Sequence, residues 1–533
     1  MISCVKNNIY CVLFIIVFLA VIGSEYKLGN KYVDSDMAAE MIMAQQLNDE
    51  GTLLSEKWYY STELRVICEP TLFKITLKVF PNNWHAARVL AKAIVLLLLA
   101  IFFMYLSKLL GFKKEAFLGC TALICPFGFW HMFHAIFGPI YLTYMVYCTI
   151  IMALIIHINN IEKRSYMLWV SLFVISFLAG LPGIRMALIL IPLLVASCIL
   201  LIKRVLAERK ITISTWEGKL FFTNLLTLVA FFVGNLLNVK YLTPKYELTD
   251  LNKTWSEFSI TEILNKWSDF FELFGYPYTH YFPEIKVMTK QGIILGGGGL
   301  LLAGLVLFSI YRIGKNINGV SIEETFIYYT VLSILVIDGV VFSFMGGIGG
   351  ANGSYWLPCI PLVVLLVMIE IRNECSAIKK VKYIFIAALM VVVFTVSIEN
   401  VKLYTNSFIA HPEGIDECVE WLEDNNYKSG YATFWNSNIV TEMTNGDIEM
   451  WTVEDLQSLE IFRWLQKKSH VVDVPEGDVF ILTKADEYDV LLQKNANIDE
   501  KCVYHNDFGF RIFSFKDIRE LYEYLGKPID NEY

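Results

Sequence analysis

Charge is scarce in this 533-residue chain: 18% of its residues are Asp, Glu, Lys or Arg, against 56% that are apolar. A chain this long and this poor in charge is not one ordinary soluble domain. The ten-residue alternation of an outer-membrane barrel is missing, which excludes that architecture. There is no CxxC and no Cys/His group at zinc spacing, so the eleven cysteines, mostly inside apolar blocks, read as small core residues. Only Cys418 and Cys502 share the C-terminal region and could pair there. A basic excess is also lacking. The net charge is −8, and the segment after about residue 399 is strongly acidic, which argues against nucleic acid as a partner. No Gly-rich phosphate loop occurs in the C-terminal segment, and no half of the chain repeats the other.

What is present is a series of apolar blocks of roughly twenty residues, the length a helix needs to cross a bilayer. Backbone groups in lipid must be satisfied within the segment, so these blocks are helices. About eleven spans are expected, near 8–23, 86–108, 116–133, 138–158, 166–181, 186–203, 218–238, 291–311, 325–345, 355–371 and 382–398. Every second connection is basic, beginning with Lys6. Then come Lys113 and Lys114, Lys163 and Arg164, the Lys203–Lys210 run, Arg312 and Lys315, and the run from Arg372 to Lys382. The positive-inside rule then places the N-terminus in the cytoplasm and, with an odd number of spans, the C-terminal segment outside, in a multi-pass plasma-membrane protein. The first block is read as an uncleaved anchor, because VIGSEYKLG makes a weak cleavage site.

The expected fold is therefore a polytopic α-helical membrane protein with a small soluble α/β domain at its C-terminus. Residues 1–398 form the membrane domain, including a long first outer loop at about 24–85, and residues 399–533 form the outer soluble domain. A second long outer loop covers about 239–289. In the C-terminal domain ECVEWLEDNN reads as helix, and GYATFW, DIEMWTV, DVFILTK and FRIFSF read as strands. In the first loop Met37, Met41 and Ala44 make one helical stripe stopped at Gly51, as in a helix lying along a membrane surface. The GGGG run at 296–299 falls inside a span, where small residues permit close helix packing.

The chemistry-bearing residues gather in the first outer loop. Asp34, Asp36 and Glu40 are three carboxylates within seven residues, and a helix starting near Asp36 would put Glu40 one turn along. Such a carboxylate could be a general base on an acceptor hydroxyl or amine. The plainer alternative makes Asp36 a helix N-cap and Asp34 a solvated acid. Two nearby carboxylates could also hold a divalent ion when other oxygens join them, and the residues do not decide metal dependence. Basic residues are unusual on the outer side, and Arg65 (just after Glu63), Arg88, Lys92 and Arg185 are predicted there. Arginine at that depth suits phosphate recognition, and snorkelling is the competing use. His131 and His134 read as interfacial rather than metal-binding, and Tyr276, Tyr278, His280 and Tyr281 could line a sugar site or anchor at the interface.

With SDMAAEMIMAQQL, WYYSTELRV and NNWHAARVL in the first loop and GYATFWNSNIVTEMTNGDIEMW near the end, the chain resembles the GT-C glycosyltransferases. The resemblance is to the bacterial branch related to protein mannosyltransferases and lipid A aminoarabinose transferases, and it covers most of the sequence. It implies an enzyme that takes a sugar from a polyprenyl-phosphate donor, with inversion, and passes it to a cell-envelope glycan, lipid or protein acceptor among membrane lipid. It also implies a catalytic carboxylate in the first outer loop, here Asp36 with Asp34 as the competing choice. Glu40 and Glu63 would orient partners, while Arg65, Arg88 and Arg185 would neutralise donor phosphate. No certain cofactor is implied, and a divalent metal remains compatible. One departure stands out: relatives tend to carry an arginine before Tyr and Pro at the outer start of a late span, where this chain has Ser354 in GSYWLPCIPL, so Arg185 or Arg88 would have to replace that contact. Two other functions fit such a chain. A transporter or flippase would make use of Asp338, the one clear acid within a late span, and a non-catalytic scaffold would tolerate any change to the first-loop carboxylates.

Overall fold

The computed structural model describes residues 2–138, 141–162, 165–209, 214–249, 255–257, 259–275, 285–345, 352–374, 379–407, 410–495 and 497–527. Tyr276, Tyr278, His280, Tyr281, Lys163, Arg164 and Lys210 lie outside them. The chain forms two compact units. One comprises Met1–Glu25, Lys92–Tyr241 and Leu251–Phe408, and the other Tyr26–Ala91, Leu242–Asp250 and Ile409–Tyr533. The first long loop thus belongs to the same unit as the C-terminal segment, whereas a division at 398/399 along the chain separates them. The last apolar helix also runs on past that point, from Lys379 to Ser407.

The first unit is a bundle of apolar helices. Among the described residues nine are long and apolar enough to cross a membrane, and ten if a bent pair counts as one span. The other expected span, 166–181, is a fifteen-residue apolar helix, Tyr166–Gly180. The bent pair replaces the straight span expected at 116–133. Its halves, Glu115–Ile124 and Phe129–Phe137, meet at 92°. Pro126 explains the break: it has no N–H to donate and drives the residue before it out of the helical region, and Cys125 is extended (φ −77°, ψ 123°).

Small residues set the closest crossings. A Cβ on Gly180 would lie 2.1 Å from Phe231 O, and one on Gly234 would lie 2.1 Å from Phe177 O. The helices Tyr166–Gly180 and Trp216–Leu237 therefore touch backbone to backbone through reciprocal glycines. In the GGGG run, a Cβ on Gly298 would lie 2.2 Å from Val396 Cγ2, whereas Gly296 and Gly297 face open space. The ends bearing basic loops come together: Arg372 donates to Leu110 O (2.6 Å) and pairs with Glu324, and Arg312 reaches Glu370 (3.6 Å). Lys92 and Glu25 form a fully buried ion pair, so Lys92 does not snorkel.

The second unit is α/β. Its main sheet has strands β1 (Ser429–Thr433), β2 (Glu449–Val453), β3 (Val479–Thr483), β4 (Cys502–His505) and β5 (Arg511–Phe515), in the order β2-β1-β3-β5-β4. β1 pairs in parallel with β2 and β3, and β5 runs antiparallel to β3 and β4. Four of these strands and the helix Ile415–Asp424 lie where the sequence places them. GYATFW does not stay extended, because the chain turns into the helix Phe434–Met443 after Thr433. A smaller sheet joins Trp58–Tyr60 of the first loop to Glu247–Leu248 and Gln466–Lys467. Cys418 and Cys502 are both free thiols, so the pairing left open above is not made.

The first-loop helix spans Ser35–Glu50 and ends at Gly51, whose φ of 70° suits glycine. It is not a surface helix with one apolar stripe. Eleven of its sixteen residues are buried, on nearly every face, and it packs against Glu69–Leu77 and Phe434–Met443.

Candidate active site

The carboxylate cluster lies within the second unit, at the start of the Ser35–Glu50 helix. Asp34, not Asp36, is the N-cap. Its side chain accepts from Met37 N at 2.8 Å, with its own backbone extended. Asp36 is therefore in the first turn and Glu40 one turn further on, as the spacing suggested. Ser35 Oγ donates to Phe434 O, and Asn438 Nδ2 reaches Ser35 O (3.5 Å), so the helix Phe434–Met443 holds the cluster's base in place.

Arg65 is the cation of the cluster. Its Nη1 lies 3.3 Å from Glu40 Oε1, and its charge also acts on Asp36, which accepts a hydrogen bond from the Trp464 side chain. Glu40 Oε2 is buried with no hydrogen-bond partner among the described residues. Arg65 is followed closely by Ile67, whose φ of 57° is rare for a β-branched residue and turns the chain into the helix beginning at Glu69.

Negative groups outnumber the cations available to them, and the cluster is densely packed although Asp34 and Asp36 keep some solvent contact. Burial therefore dominates their protonation. It pushes the Asp34 carboxyl up to about 7, with the neighbouring Asp36 charge adding to the rise and Met37 N–H and Arg88 opposing it. Burial also raises Asp36, against Arg65 and Trp464. Glu40 is pushed up to about 8, again by burial first, with Arg65 opposing and Glu69 adding. Groups held near neutrality can exchange protons with a reacting molecule.

Arg88 belongs to the α/β unit. It is fully buried, and its Nε and Nη2 bond Glu442 at 3.0 and 2.6 Å while Nη2 also donates to Met37 O at 3.0 Å. The guanidinium lies 5.0 Å from the Phe73 ring centre. Arg88 thus ties three elements of the unit together. Glu63 is half-buried. Among the described residues no group of three or more His, Cys, Asp or Glu side chains is placed to hold a metal ion.

Arg185 belongs to the membrane unit. Its Nη1 donates to Tyr141 Oη at 2.9 Å, and its guanidinium lies 5.3 Å from the centre of the Tyr355 ring. Tyr355 follows Ser354, which itself turns to Asn352 (2.6 Å). Of the two arginines expected to replace that contact, Arg185 lies beside Tyr355 and Arg88 bonds Glu442. His134 stacks on Trp130 (5.4 Å) and His131 on Phe127 (4.6 Å), both away from any metal-ligating group among the described residues. Asp338 is buried in the bundle, and its Oδ1 has no hydrogen-bond partner among the described residues.

Sequence reasoning missed Glu442 and Trp464. Glu442 had a signal, an acid in an otherwise apolar and amide-rich stretch, but nothing local pointed to a partner 354 residues away. Trp464 lies in an irregular segment with no pattern to mark it.

No family model and no curated relative matches the sequence. Solved structures do match. ArnT from Cupriavidus metallidurans in the apo state superposes with a TM-score of 0.55 at 12% identity, covering 96% of this chain and 98% of that one. The same protein bound to undecaprenyl phosphate gives 0.53 at 10% identity, covering 95% and 98%. The Archaeoglobus fulgidus oligosaccharyltransferase with zinc and sulfate gives a TM-score of 0.46, with 10% identity over 88% of this chain and 67% of that one. The chain has the GT-C fold, a polytopic helical membrane unit with an α/β unit, over nearly its whole length.

Proposed function

We propose that this protein is a membrane glycosyltransferase that moves a sugar from a polyprenyl-phosphate carrier to an acceptor in the cell envelope. The observation that carries the proposal is the buried Asp34–Asp36–Glu40 cluster with Arg65, at the start of a helix, in a chain with the fold of ArnT. ArnT itself has been solved with undecaprenyl phosphate, which supports a carrier of that class here.

Asp36 is the proposed base. Asp34 is occupied as a helix cap, while Asp36 stands in the first turn with its affinity for protons raised by burial. In the reaction Asp36 takes the proton of an acceptor hydroxyl or amine. The freed lone pair attacks the anomeric carbon from the side opposite the phosphate. The bond between that carbon and the phosphate oxygen breaks, and the polyprenyl phosphate leaves with the electron pair. The product has the inverted configuration. Arg65 holds Glu40 and opposes the charge of Asp36, keeping enough of the base ionised. Arg185, on its tyrosine platform, is the candidate cation for the carrier's phosphate. The basic-loop pattern supports an extracytoplasmic active face with the N-terminus inside.

The test is transfer by purified protein in lipid nanodiscs from a panel of radiolabelled polyprenyl-phosphate sugars, with membrane extract as acceptor. Label should reach an extract component from at least one donor, and NMR of the product should show inversion. No transfer from any donor by folded protein would move the assignment to a transporter. A retained configuration would remove the single-displacement mechanism.

A further inference from the structure

A group that gives up a proton to Asp36 must come within about 2.6–3.2 Å of its carboxylate. The Trp464 side chain already donates to that carboxylate, so the same molecule must also touch the indole. Trp464 is one end of a run of aromatic rings. Its ring centre lies 6.4 Å from that of Phe462, Phe462 lies 5.7 Å from Phe434, and Phe434 lies 5.2 Å from Trp435. Phe434, Phe462 and Trp464 are half-buried and Trp435 is 57% exposed, so solvent reaches every residue of the run.

The run is fixed in place. Ser35, next to Asp36, donates to Phe434 O. Phe462 N donates to Thr452 O at 3.0 Å, and the buried Gln466 amide donates to Thr452 O (3.0 Å) and to Phe462 O. Leu459 and Leu465 flank the segment with φ of 48° and 50°, a left-handed backbone that leucine rarely adopts. Surrounding bonds thus hold a strained segment that keeps Trp464 at Asp36, with large rings left partly in solvent.

The surroundings select the ligand. Asp34, Asp36 and Glu40 outnumber the cations that act on them, Arg65 and the Glu442-bound Arg88, which disfavours a phosphorylated or acidic acceptor. Arg463 lines a separate cleft with Glu460 and Asp473. Aromatic rings beside carboxylates that accept hydrogen bonds complement a pyranose, which has C–H faces and hydroxyl edges. A Ser or Thr side chain on a peptide brings the hydroxyl without a ring to lie on the run. We propose that the acceptor is an uncharged saccharide whose sugar rings bind along Trp464, Phe462, Phe434 and Trp435, with the reacting sugar at Trp464. The proposal rests on Asp36 being the base, and it is tested by binding without a donor so that the two can fail separately.

Full-length protein labelled with fluorotryptophan is placed in nanodiscs free of sugar-headed detergent, because a maltoside would itself compete. It is titrated with chitotetraose, maltotetraose and mannotriose, and with a serine-rich peptide and glucose 1-phosphate as contrasting probes. Nanodiscs containing diglucosyl diacylglycerol supply a lipid-borne sugar. Trp464→Phe and Trp435→Phe assign the two fluorine resonances. At least one neutral sugar should shift both, and the peptide and glucose 1-phosphate should shift neither. A response to the lipid-borne sugar alone identifies a glycolipid headgroup, and a response to the soluble sugars identifies a glycan. Trp464→Leu should weaken binding at least about tenfold, and Trp435→Ala, at an exposed helix position, about threefold with an unchanged melting temperature. In the transfer assay Trp464→Leu should raise the acceptor KM. Trp464→Phe keeps a ring but loses the hydrogen bond that favours the charged carboxylate, so it should move the acid limb of the pH–rate profile to higher pH. If no neutral sugar shifts either resonance, if the peptide shifts them instead, or if Trp464→Leu and Trp435→Ala both bind as the wild type does, the acceptor assignment fails even with transfer intact. Binding without transfer from any donor would leave the saccharide run standing and refute the glycosyltransferase reading.

Discussion

Replacing Arg88 with methionine should destabilise the α/β unit without acting on the donor. The side chain makes the paired hydrogen bonds to Glu442 and one more to Met37 O, all out of water. Its removal leaves the Glu442 carboxylate, with 8% of its side chain exposed, facing no countercharge. Breaking a buried pair from one side costs about 3–5 kcal/mol. In a unit of this size that corresponds to a fall in melting temperature of roughly 6–20 °C. Glu442→Met alone should do the same by stranding the guanidinium. The double variant Arg88→Met/Glu442→Met should recover most of the loss, because a matched apolar pair carries no desolvation penalty. Thermal unfolding in nanodiscs, with protease sensitivity of the C-terminal segment as a second probe, measures all four proteins. If Arg88→Met melted within 2 °C of the wild type while losing donor affinity, Arg88 would be a phosphate ligand and the assignment of that role to Arg185 would be wrong.

Gly180→Leu or Gly234→Leu should abolish the backbone contact between their helices and lower the yield of folded membrane unit, whereas Gly296→Ala should be neutral because nothing lies within 4 Å of its added carbon; detergent-stable yield separates the two. Stability of the α/β unit should fall as pH rises through the neutral range. Asp34 and Glu40 hold protons up to about 7 and 8 when folded but release them in the ordinary carboxylate range when unfolded, so the folded state binds more protons in that window. Chemical unfolding between pH 5 and 9 checks the sign, and a rise in stability across that range would contradict it. The same raised affinity should place the acid limb of the pH–rate profile above the usual carboxylate region, since a base must first lose its proton.

Much of the membrane unit was legible in the sequence because lipid imposes a local requirement: each crossing segment must be apolar over its own length. The span at 116–133 bent for a local reason visible in the sequence, Pro126. The carboxylate cluster was legible as a spacing, but which acid caps the helix was not, since either could start it. The surroundings of the cluster were not legible. Arg88 and Glu442 meet through the packing of Phe434–Met443 on the first-loop helix, and that element shows no amphipathic stripe because it is covered on most sides. The same coverage explains why the first-loop helix, read as lying on a membrane surface, is instead a core element. A side chain's distant partner is set by tertiary packing, which local patterns do not encode.

The most direct test of the mechanism is the transfer rate of Asp36→Asn beside that of Asp34→Asn, measured with the same donor and acceptor and with folding confirmed for both. Loss of a general base predicts a fall of about 10²–10⁴-fold in the rate for Asp36→Asn. Asp34→Asn, which can still cap the helix, should stay within about tenfold of the wild type. An active Asp36→Asn protein, or a collapse confined to Asp34→Asn, would contradict the placement of the base at Asp36.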